Sequence, residues 1–279
     1  MNELAIKDVA ERTGIAPGTI RMWEQRYGFP EPDRTASGYR RYTDDDVESL
    51  RRVAAYRRLG LSIPAAIDRV RTSDGTPDRP SIYAAVASLD PSARPQLLRK
   101  STLVALSRAI EHETLARAAS PLLFAAFQEE RHYRDVEHRY RRLAAQADAA
   151  TVFASFGEAR RPARGPVEMP IDLDDAIGNE WAVIVDAPGY AACLLAWEHP
   201  REEDIPDASR RFEAIWTVHP RATRRAAQVA AKLAGEIDAA YGEELEAQLA
   251  DRPLAVESPA PGLTALANRA IAYMEDATR

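Results

Sequence analysis

The chain has 279 residues, of which 46% are hydrophobic and 29% are charged, and its formal net charge is −6. This composition is typical of a globular protein, and the length permits one large domain or two of ordinary size. No apolar run of about 18 residues predicts a membrane span, and the N-terminus lacks a signal-peptide pattern. The single cysteine, Cys193, excludes an intramolecular disulfide and a multi-cysteine metal site. Together these features predict a cytoplasmic protein with no membrane partner.

Charge is distributed unevenly along the chain. Residues 1–72 hold 13 Lys and Arg against 11 Asp and Glu, so this segment carries a net charge of +2. Residues 73–279 carry the remaining net charge of −8. A basic N-terminal region on an acidic body is compatible with binding to a polyanion such as nucleic acid.

Two segments are predicted to be linkers. Residues 73–80 contain no apolar side chain and are rich in Gly, Pro and Asp, a composition that favours an irregular connection. A second segment, residues 251–262, is rich in Pro. The predicted organisation is an N-terminal domain of residues 1–72, a linker of residues 73–80, a second domain of residues 81–250, and a linker with a C-terminal helix in residues 251–279.

The elements of residues 1–72 are predicted to be short helices. A first helix ends at Gly14, and Pro17 suits the first turn of a second helix that runs to about Tyr27. Thr43 and Asp46 have the spacing of a capping pair at the start of a third helix. A fourth helix completes the segment. Two short helices joined by a tight glycine turn indicate a helix-turn-helix.

The loop before the third helix is strongly basic. Residues 34–43 contain three arginines and no acid, with Gly38 between two possible short strands, which predicts a small β-hairpin wing. Guanidinium groups and phenols of this kind suit the phosphate backbone of a nucleic acid. A solvated basic loop is the alternative, but the position beside a helix-turn-helix favours a nucleic-acid contact.

Three stretches of the N-terminal segment carry a resemblance to a known family. They are Ile6–Gly14 (IKDVAERTG), Thr19–Gly28 (TIRMWEQRYG), and Arg34 with Gly38–Tyr42 (GYRRY). With these motifs, residues 4–70 resemble the winged helix-turn-helix domain of the MerR family of transcription regulators. The stretch RMWEQRY is most similar to the subgroup that includes cobalamin-dependent light regulators.

The resemblance implies which residues contact DNA. The second helix would enter the major groove, and the wing would hold the flanking backbone and minor groove. The implied contacts are Thr19, Arg21, Arg26 and Tyr27 on the helix, and Arg34, Tyr39, Arg40, Arg41 and Tyr42 in the wing. Ala16 stands where the family commonly has a capping Ser. Ile20 and Trp23 are assigned to packing, and Glu24 is expected to orient an arginine.

The body of the chain changes its pattern near residue 150. Residues 81–148 are predicted to be helical because apolar residues recur there at helical spacing. The later predicted elements are a strand over 151–156, a hairpin of 181–185 and 190–197, a strand over 212–218, and a helix over 221–249. The predicted fold class is therefore an all-α winged helix-turn-helix domain followed by an α+β domain with an antiparallel sheet.

The body contains no motif of a known catalytic class. His132 and His138 are six residues apart, so they do not share the helix face that a metal pair requires. Asp172, Asp174 and Asp175 are interpreted as a solvated turn. The histidine motif of cobalamin-binding relatives is absent. We therefore expect no catalytic residues, no metal, no cofactor and no enzymatic activity.

A second resemblance covers about residues 98–245. It is carried by Ser101–Glu113 (STLVALSRAIEHE), by Phe127–Tyr133 with Tyr140–Leu143, and by the hairpin sheet. These stretches resemble the DICT sensory domain, which occurs beside MerR-type helix-turn-helix units. The polar positions considered for ligand contact are Glu111, Arg131 and Tyr133. A buried structural network between helices and sheet is the alternative role for the same residues.

The expected function is a transcription regulator that binds double-stranded promoter DNA as a homodimer and responds to a signal or small ligand through its C-terminal domain. The resemblance also implies RNA polymerase as a partner at a distorted promoter. Pro77 and Pro80 interrupt the family's usual dimerisation helix, so dimer contacts are expected in the second domain or in residues 263–279. The alternatives are a ligand-independent repressor or architectural protein, and a small-molecule-modifying enzyme with an accessory DNA-binding domain.

Overall fold

The chain divides into two compact units, Met1–Asp74 and Gly75–Arg279, called the N-terminal and C-terminal units. The predicted linker of residues 73–80, residues 256–262 of the second linker, and most of the predicted terminal helix lie outside the described residues. Of that terminal helix, Ala267 and Ile271 are described, and both are helical. The computed structural model describes residues 4–35, 38–58, 63–72, 81–86, 95–173, 175–198, 206–255, 267 and 271.

The N-terminal unit is helical, with a small hairpin between its second and third helices. Strands β1 and β2 pair antiparallel, with Asp33 opposite Arg41 and Arg34 opposite Arg40. The wing predicted from the sequence is therefore present as a β-hairpin. The elements are α1 (Ile6–Thr13), α2 (Pro17–Tyr27), β1 (Asp33–Arg34), β2 (Arg40–Arg41), α3 (Asp44–Arg58) and α4 (Ile63–Thr72).

Local signals in the sequence set the helix ends of this unit. Gly14 and Gly28 terminate α1 and α2 with φ angles of 72° and 61°, a left-handed conformation that glycine adopts without strain. Thr43 Oγ1 accepts from the Asp46 backbone N–H at 3.1 Å, and Asp46 Oδ2 accepts from the Thr43 N–H at 2.7 Å. This reciprocal pair confirms the predicted cap of α3. The core is formed by Val9, Ile20, Trp23, Val47, Leu50, Val53, Ile67 and Val70.

The C-terminal unit combines a sheet with helices. Its helices are α5 (Ile82–Val86), α6 (Lys100–Arg117), α7 (Glu130–Arg134), α8 (Glu137–Ala144), α9 (Pro220–Ile237) and α10 (Ala239–Asp251). Its strands are β3 (Gln96–Arg99), β4 (Leu122–Ala126), β5 (Ala149–Ala154), β6 (Val167–Pro170), β7 (Glu180–Ala187), β8 (Tyr190–Glu198) and β9 (Arg211–Thr217).

The strands form one mixed sheet. In the described part of the chain, their order is β3-β9-β8-β7-β4-β5-β6, and the pairs from β3 to β4 are antiparallel. The predicted hairpin is confirmed as β7 and β8, with Ile184 opposite Cys193. The predicted helical domain and α+β domain are confirmed. The sheet also contains two parallel pairs, β4–β5 and β5–β6. The first is possible because α7 and α8 cross over between β4 and β5, and residues 155–166 connect β5 to β6.

Helices cover both faces of this sheet. Leu123 and Val185 point to the face that carries Leu103 and Ile110 of α6, while α9 packs on β7, β8 and β4 from the other side. Alternate residues of the central strands are therefore buried on opposite faces. All five residues of β4 are buried as a result.

Two predictions for the C-terminal unit were wrong in part. Residues 81–148 are not all helical, since they include β3 and β4. The apolar run of β4 is buried on both faces, and periodicity alone does not separate such a strand from a buried helix. The single helix predicted over 221–249 is two helices, broken at Asp238, whose Oδ1 caps α10 by accepting from the Tyr241 N–H at 3.1 Å.

Candidate nucleic-acid interface and a buried cavity

Helix α2 has one buried face and one exposed face. Ile20 and Trp23 are 0% and 5% exposed and fix the helix to the core of the unit. The opposite face presents a continuous exposed stripe at helical spacing, formed by Gly18, Arg21, Met22, Gln25 and Arg26. Two guanidinium groups and one amide therefore project from a helix that is held rigidly from behind.

The Glu24 carboxylate of α2 ties the wing to this helix. Glu24 accepts a hydrogen bond from Arg40 Nε at 2.5 Å and from Arg34 Nη2 at 3.2 Å, so it joins both strands of the hairpin to the helix. The hydrogen bond to Glu24 raises the pKa of the Arg40 guanidinium. Glu24 therefore orients wing arginines, as its sequence position led us to expect.

The structure brings most of the predicted DNA contacts to one surface region. On α2 and in the wing, the exposed members are Arg21, Arg26, Arg34 and Tyr39, and the partly buried members are Thr19, Tyr27, Arg40 and Arg41. The Arg26 guanidinium lies 5.6 Å from the centre of the Tyr27 ring, a cation–π distance. Met22 and Gln25 share the exposed stripe and were missed, although their spacing from Arg21 and Arg26 was visible in the sequence.

Tyr42 does not belong to this surface. Its side chain is 0% exposed, and burial raises the pKa of its hydroxyl. Its backbone pairs with that of Leu4 in an antiparallel bridge, which places Leu4 beside the wing. The expectation that Tyr42 contacts DNA is corrected by this burial, because an aromatic ring that fills the core cannot also reach a phosphate.

Ion pairs and backbone contacts hold the ends of the surface in place. Arg71 of α4 donates to the Gly28 carbonyl at 2.8 Å and to Glu31 at 3.2 Å, on the loop after α2. Arg12 pairs with Asp44 at 2.6 Å. Asp44 is thus engaged by α1 at the start of α3.

The C-terminal unit contains a cavity of about 210 Å³. One wall is a stripe of α6 that includes Lys100, Val104, Arg108 and Glu111, spaced at three or four residues. The opposite wall comes from α7 and α8, and the floor from the end of β4 and the start of β7. We refer to this space as the α6 cavity.

Glu111 is the buried polar centre of the α6 cavity. The side chain is 3% exposed, and burial raises the pKa of its carboxyl group. The buried Tyr140 hydroxyl hydrogen bonds to this carboxyl group. Arg139 Nε lies 3.0 Å from Glu111 Oε2 in an ion pair, yet neither atom makes a hydrogen bond with another described residue.

The other two residues considered for ligand contact do not line the α6 cavity. Arg131 is exposed and pairs with Glu129 at 2.8 Å. Tyr133 is 1% exposed in an aromatic cluster with Phe127, Tyr140 and Phe156. Tyr133 is thus part of a buried structural network, which was the alternative role considered for these residues.

Several polar residues of the cavity wall were not identified from the sequence. They are Lys100, Arg108, Gln128, His132, Asp135 and Arg139. The available signal was the helical spacing of charged residues along α6, but the sequence does not show that α7 and α8 lie opposite. Of the predicted acidic turn, Asp174 lies outside the described residues. Among the residues that the structure does describe, no three His, Cys, Asp or Glu side chains converge as metal ligands.

Both units match known protein families. Residues 4–72 match the family described as MerR HTH family regulatory protein. Residues 80–199 match DICT, described as the sensory domain in diguanylate cyclases and two-component systems. The sheet of the C-terminal unit continues beyond that match, because β9 lies between β8 and β3.

Curated relatives match mainly through the N-terminal region. The chain is 46% identical over 71 residues to the HTH-type transcriptional repressor CarA of Myxococcus xanthus, an alignment that covers 25% of each chain. It is 34% identical over 76 residues to the mercuric resistance operon regulatory protein of Serratia marcescens, covering 27% of this chain and 53% of that protein. The chain thus spans about a quarter of CarA and half of the mercuric resistance regulator.

One relative is matched over most of its length. The chain is 34% identical over 101 residues to the HTH-type transcriptional regulator YfmP of Bacillus subtilis, which covers 36% of this chain and 71% of the relative. No helix in the described ranges is both long and apolar enough to cross a bilayer. With the matching helix-turn-helix unit and its exposed basic surface, these similarities show that the chain belongs to the MerR family of helix-turn-helix regulatory proteins.

Proposed function

We propose that the protein is a transcription regulator that binds promoter DNA through α2 and the wing and responds to a signal received by its C-terminal unit. The observation that carries the proposal is the exposed arginine stripe of α2, joined through Glu24 to the arginines of the wing. A rigid helix with outward guanidinium groups fits the major groove, and a basic hairpin beside it fits the adjacent backbone.

The two parts of the surface have different proposed roles. Arg21 and Arg26 lie on the exposed stripe of α2, so they are the proposed contacts to base edges. Thr19 and Tyr27 are partly buried at the border of the stripe and are proposed to position the helix. The wing supplies phosphate contacts through Arg34, Tyr39, Arg40 and Arg41, which carry affinity rather than sequence information.

The C-terminal unit is proposed to join two copies of the chain and to receive the signal. Its match to a sensory domain and the α6 cavity support the second role. When one DNA-binding unit of a dimer is bound to its half of an inverted repeat, the second unit is held near the other half at a high effective concentration. A single unit lacks this advantage. A dimer can also distort a promoter for RNA polymerase, at a deformation cost on the order of 1–6 kcal/mol.

The proposal is tested by selection of duplexes from a random DNA library with the full chain. We expect enrichment of an inverted repeat, and loss of that enrichment in the double variant Arg21→Ala/Arg26→Ala. The matched control is Lys7→Ala, which removes an exposed cation from α1 outside the proposed surface. Failure of the unmodified chain to enrich any sequence would refute the proposed function.

The proposed dimer is tested by sedimentation of residues 1–72, residues 81–279 and the full chain. We expect a monomer, a dimer and a dimer in that order. A dimeric N-terminal fragment would move the dimer contact into the helix-turn-helix unit. A monomeric C-terminal fragment beside a dimeric full chain would also contradict the assignment.

For each of the two alternative functions, one observation favours regulation by a bound molecule instead. The α6 cavity, with a buried carboxylate in its wall, favours a ligand-responsive regulator over a ligand-independent one. The relatives described above bear the names of transcriptional regulators, which supports a protein that is not an enzyme.

A further inference from the structure

The α6 cavity lies where open sheets with crossover helices commonly bind ligands. Strand β4 is parallel to β5, and the α7–α8 crossover leaves from the carboxyl end of β4 beside Phe127. Ligands of such sheets sit outside the carboxyl ends of the strands. The topology of the sheet therefore sets the position of the cavity, at the carboxyl end of β4.

The size of the cavity restricts the ligand to a small molecule. An apolar cavity of about 150 Å³ engineered into another protein accommodates benzene. The α6 cavity, at about 210 Å³, has room for one ring and a small polar substituent, or for two fused rings. A whole nucleotide or tetrapyrrole could not be enclosed within this space.

The wall is largely aromatic and aliphatic. Phe127, Tyr140 and Trp181 contribute rings, and Val104 and Val136 contribute aliphatic surface. The Trp181 indole N–H donates to Ser107 Oγ at 3.0 Å, which fixes the ring at the cavity floor. Fixed aromatic rings favour a planar apolar ligand body, since stacked or edge-to-face ring pairs gain energy beyond their buried area.

The acidic groups of the wall are already engaged or lie at its rim. Glu180 accepts from the backbone N–H groups of Ile82 at 3.1 Å and Tyr83 at 3.3 Å, at the start of α5. Glu111 is paired with Arg139, and Asp135 is exposed. Each of these three carboxylates is therefore either paired with a protein group or exposed.

Two arginines line the cavity from opposite walls, Arg108 on α6 and Arg139 on α8. Arg108 makes no ion pair with another described residue, and its charge acts on the Glu111 carboxyl group together with Arg139 and His112. Burial and the charge of Lys100 lower the pKa of His132, so its imidazole is neutral near pH 7, and Lys100 itself is held by Asp207 at 2.6 Å. A ligand carboxylate between Arg108 and Arg139 would therefore meet one guanidinium group from each wall.

We infer that the α6 cavity binds a small aromatic carboxylic acid, with the ring between Trp181 and Phe127 and the carboxylate held by Arg108 and Arg139. The inference rests on the proposed sensory role of the C-terminal unit. Arg139 Nε lies 3.0 Å from Glu111 Oε2 but makes no hydrogen bond to it, so a ligand carboxylate at Arg139 would provide a hydrogen-bond acceptor for this buried group. Arginine favours this ligand class because its planar fork matches a carboxylate.

The inference is tested by isothermal titration calorimetry of the full chain, without DNA, against 2-naphthoate and benzoate. We expect 2-naphthoate to bind with a dissociation constant below about 1 mM, the value that ordinary ligand efficiency gives for a molecule of this size. The neutral 2-naphthamide and the cationic benzylamine are the matched ligands. Each is expected to bind at least about tenfold more weakly, since a charge-assisted hydrogen bond is lost.

Two variants and one control locate the site. Arg108→Gln removes the exposed cation, and Val104→Phe fills the space beside it, so each is expected to weaken 2-naphthoate binding about tenfold or more. Arg142→Gln removes an exposed arginine of α8 that lies outside the cavity wall, and binding is expected to stay unchanged. Unfolding temperatures of the variants show whether the fold is retained.

The outcomes separate this inference from the proposed function. Absence of binding by both acids, equal binding of 2-naphthamide, or tighter binding of benzylamine would each overturn the ligand class. An equal loss in the Arg142→Gln control would overturn the location. None of these results affects DNA selection by the full chain, which tests the proposed function separately.

Discussion

The two units present their candidate sites in opposite ways. In the N-terminal unit, the proposed contacts lie between residues 19 and 41, on one helix and one hairpin, and each is exposed or only partly buried. In the C-terminal unit, the α6 cavity is built from residues between 100 and 181 on five elements, α6, β4, α7, α8 and β7. A local site leaves a motif in the sequence, whereas a site assembled from distant segments leaves only separate helical stripes. This difference explains why most of the contacts predicted for the first site share one surface, whereas only Glu111 of the three residues predicted for the second site lines the cavity.

Charge is also used differently in the two units. The exposed arginines of α2 face solvent, while several arginines of the C-terminal unit are tied to buried carboxylates. Arg224 donates to Asp186 at 2.5 Å, and Arg210 pairs with Glu198. Buried pairs of this kind are costly to break, because removal of one partner leaves an uncompensated charge. The exposed guanidinium groups of Arg21 and Arg26 are therefore available to a partner, whereas those of Arg210 and Arg224 are structural.

The largest expected effect is a loss of stability on substitution of a glycine where α9 and α10 cross. Helices α9 and α10 cross at Gly235 and Gly242, and a Cβ atom on Gly242 would lie 2.3 Å from the Gly235 Cα. Gly242→Ala should therefore lower the free energy of unfolding of the C-terminal unit by about 3 kcal/mol, because backbone must move to relieve the overlap. Urea denaturation followed by circular dichroism measures this change.

The matched control is a helical glycine of the N-terminal unit. A Cβ atom on Gly18 of α2 meets nothing within 4 Å. Gly18→Ala should stabilise that unit by up to about 1 kcal/mol, since alanine has the higher helix propensity. Equal effects of the two substitutions would contradict the close packing of α9 on α10.

Sequence discrimination is expected to depend on Arg21. Its guanidinium projects from the exposed face of α2, and an arginine–guanine pair contributes about 1–3 kcal/mol of discrimination. Arg21→Ala should reduce the preference for the selected sequence over mutated half-sites by about 5- to 150-fold. Fluorescence polarisation with both duplexes measures the ratio. If affinity falls equally for every sequence, Arg21 contacts only phosphate.

A smaller and non-specific effect is expected from the wing. Arg40 is held by Glu24 and is proposed to contact phosphate, so Arg40→Ala should weaken binding to specific and random duplex alike. The slope of log affinity against log salt concentration should become shallower by about one unit. Titrations at four salt concentrations provide this slope. An unchanged slope would remove Arg40 from the interface.

The smallest expected effect is a pH dependence in the C-terminal unit. The hydrogen bond from Lys100, with that from Arg210, lowers the pKa of Asp207 to about 2. A depressed carboxyl pKa adds stability above the unfolded value near 4, and this contribution is lost as the pH falls from 4 towards 2. Asp207 is largely exposed, so its contribution is below about 1 kcal/mol. The difference in urea unfolding between Asp207→Asn and the unmodified chain should be largest at pH 6 and should shrink as the pH falls from 4 through 2; a constant difference would refute the linkage.

The predictions from sequence succeeded where one residue governs a local event. Gly14, Gly28 and the Thr43–Asp46 pair set helix ends in the N-terminal unit, and each acts through its own backbone or a neighbour three or four residues away. The predicted β7–β8 hairpin succeeded for the same reason, because its two strands are adjacent in the chain. These elements need no information from distant residues.

The predictions failed where burial is decided by distant segments. Tyr42 has the composition of a DNA-contacting wing, yet its ring completes a core that only the folded unit defines. Strand β4 lacks polar alternation because helices cover both faces of the sheet, so its apolar run resembled a helix. Asp238 divides α9 from α10 because two glycines allow the helices to fold back on each other.

The sequence by itself determined the family, the two-part organisation of helices and sheet, and the basic surface of α2 and the wing. These depend on local spacing, charge and capping, which are properties of neighbouring residues. Only the tertiary structure decided the parallel strands, the burial of Tyr42, and the α6 cavity with Glu111 and Arg139 in its wall. Each of these requires segments far apart in the chain to meet, and their meeting is set by the packing of the whole unit.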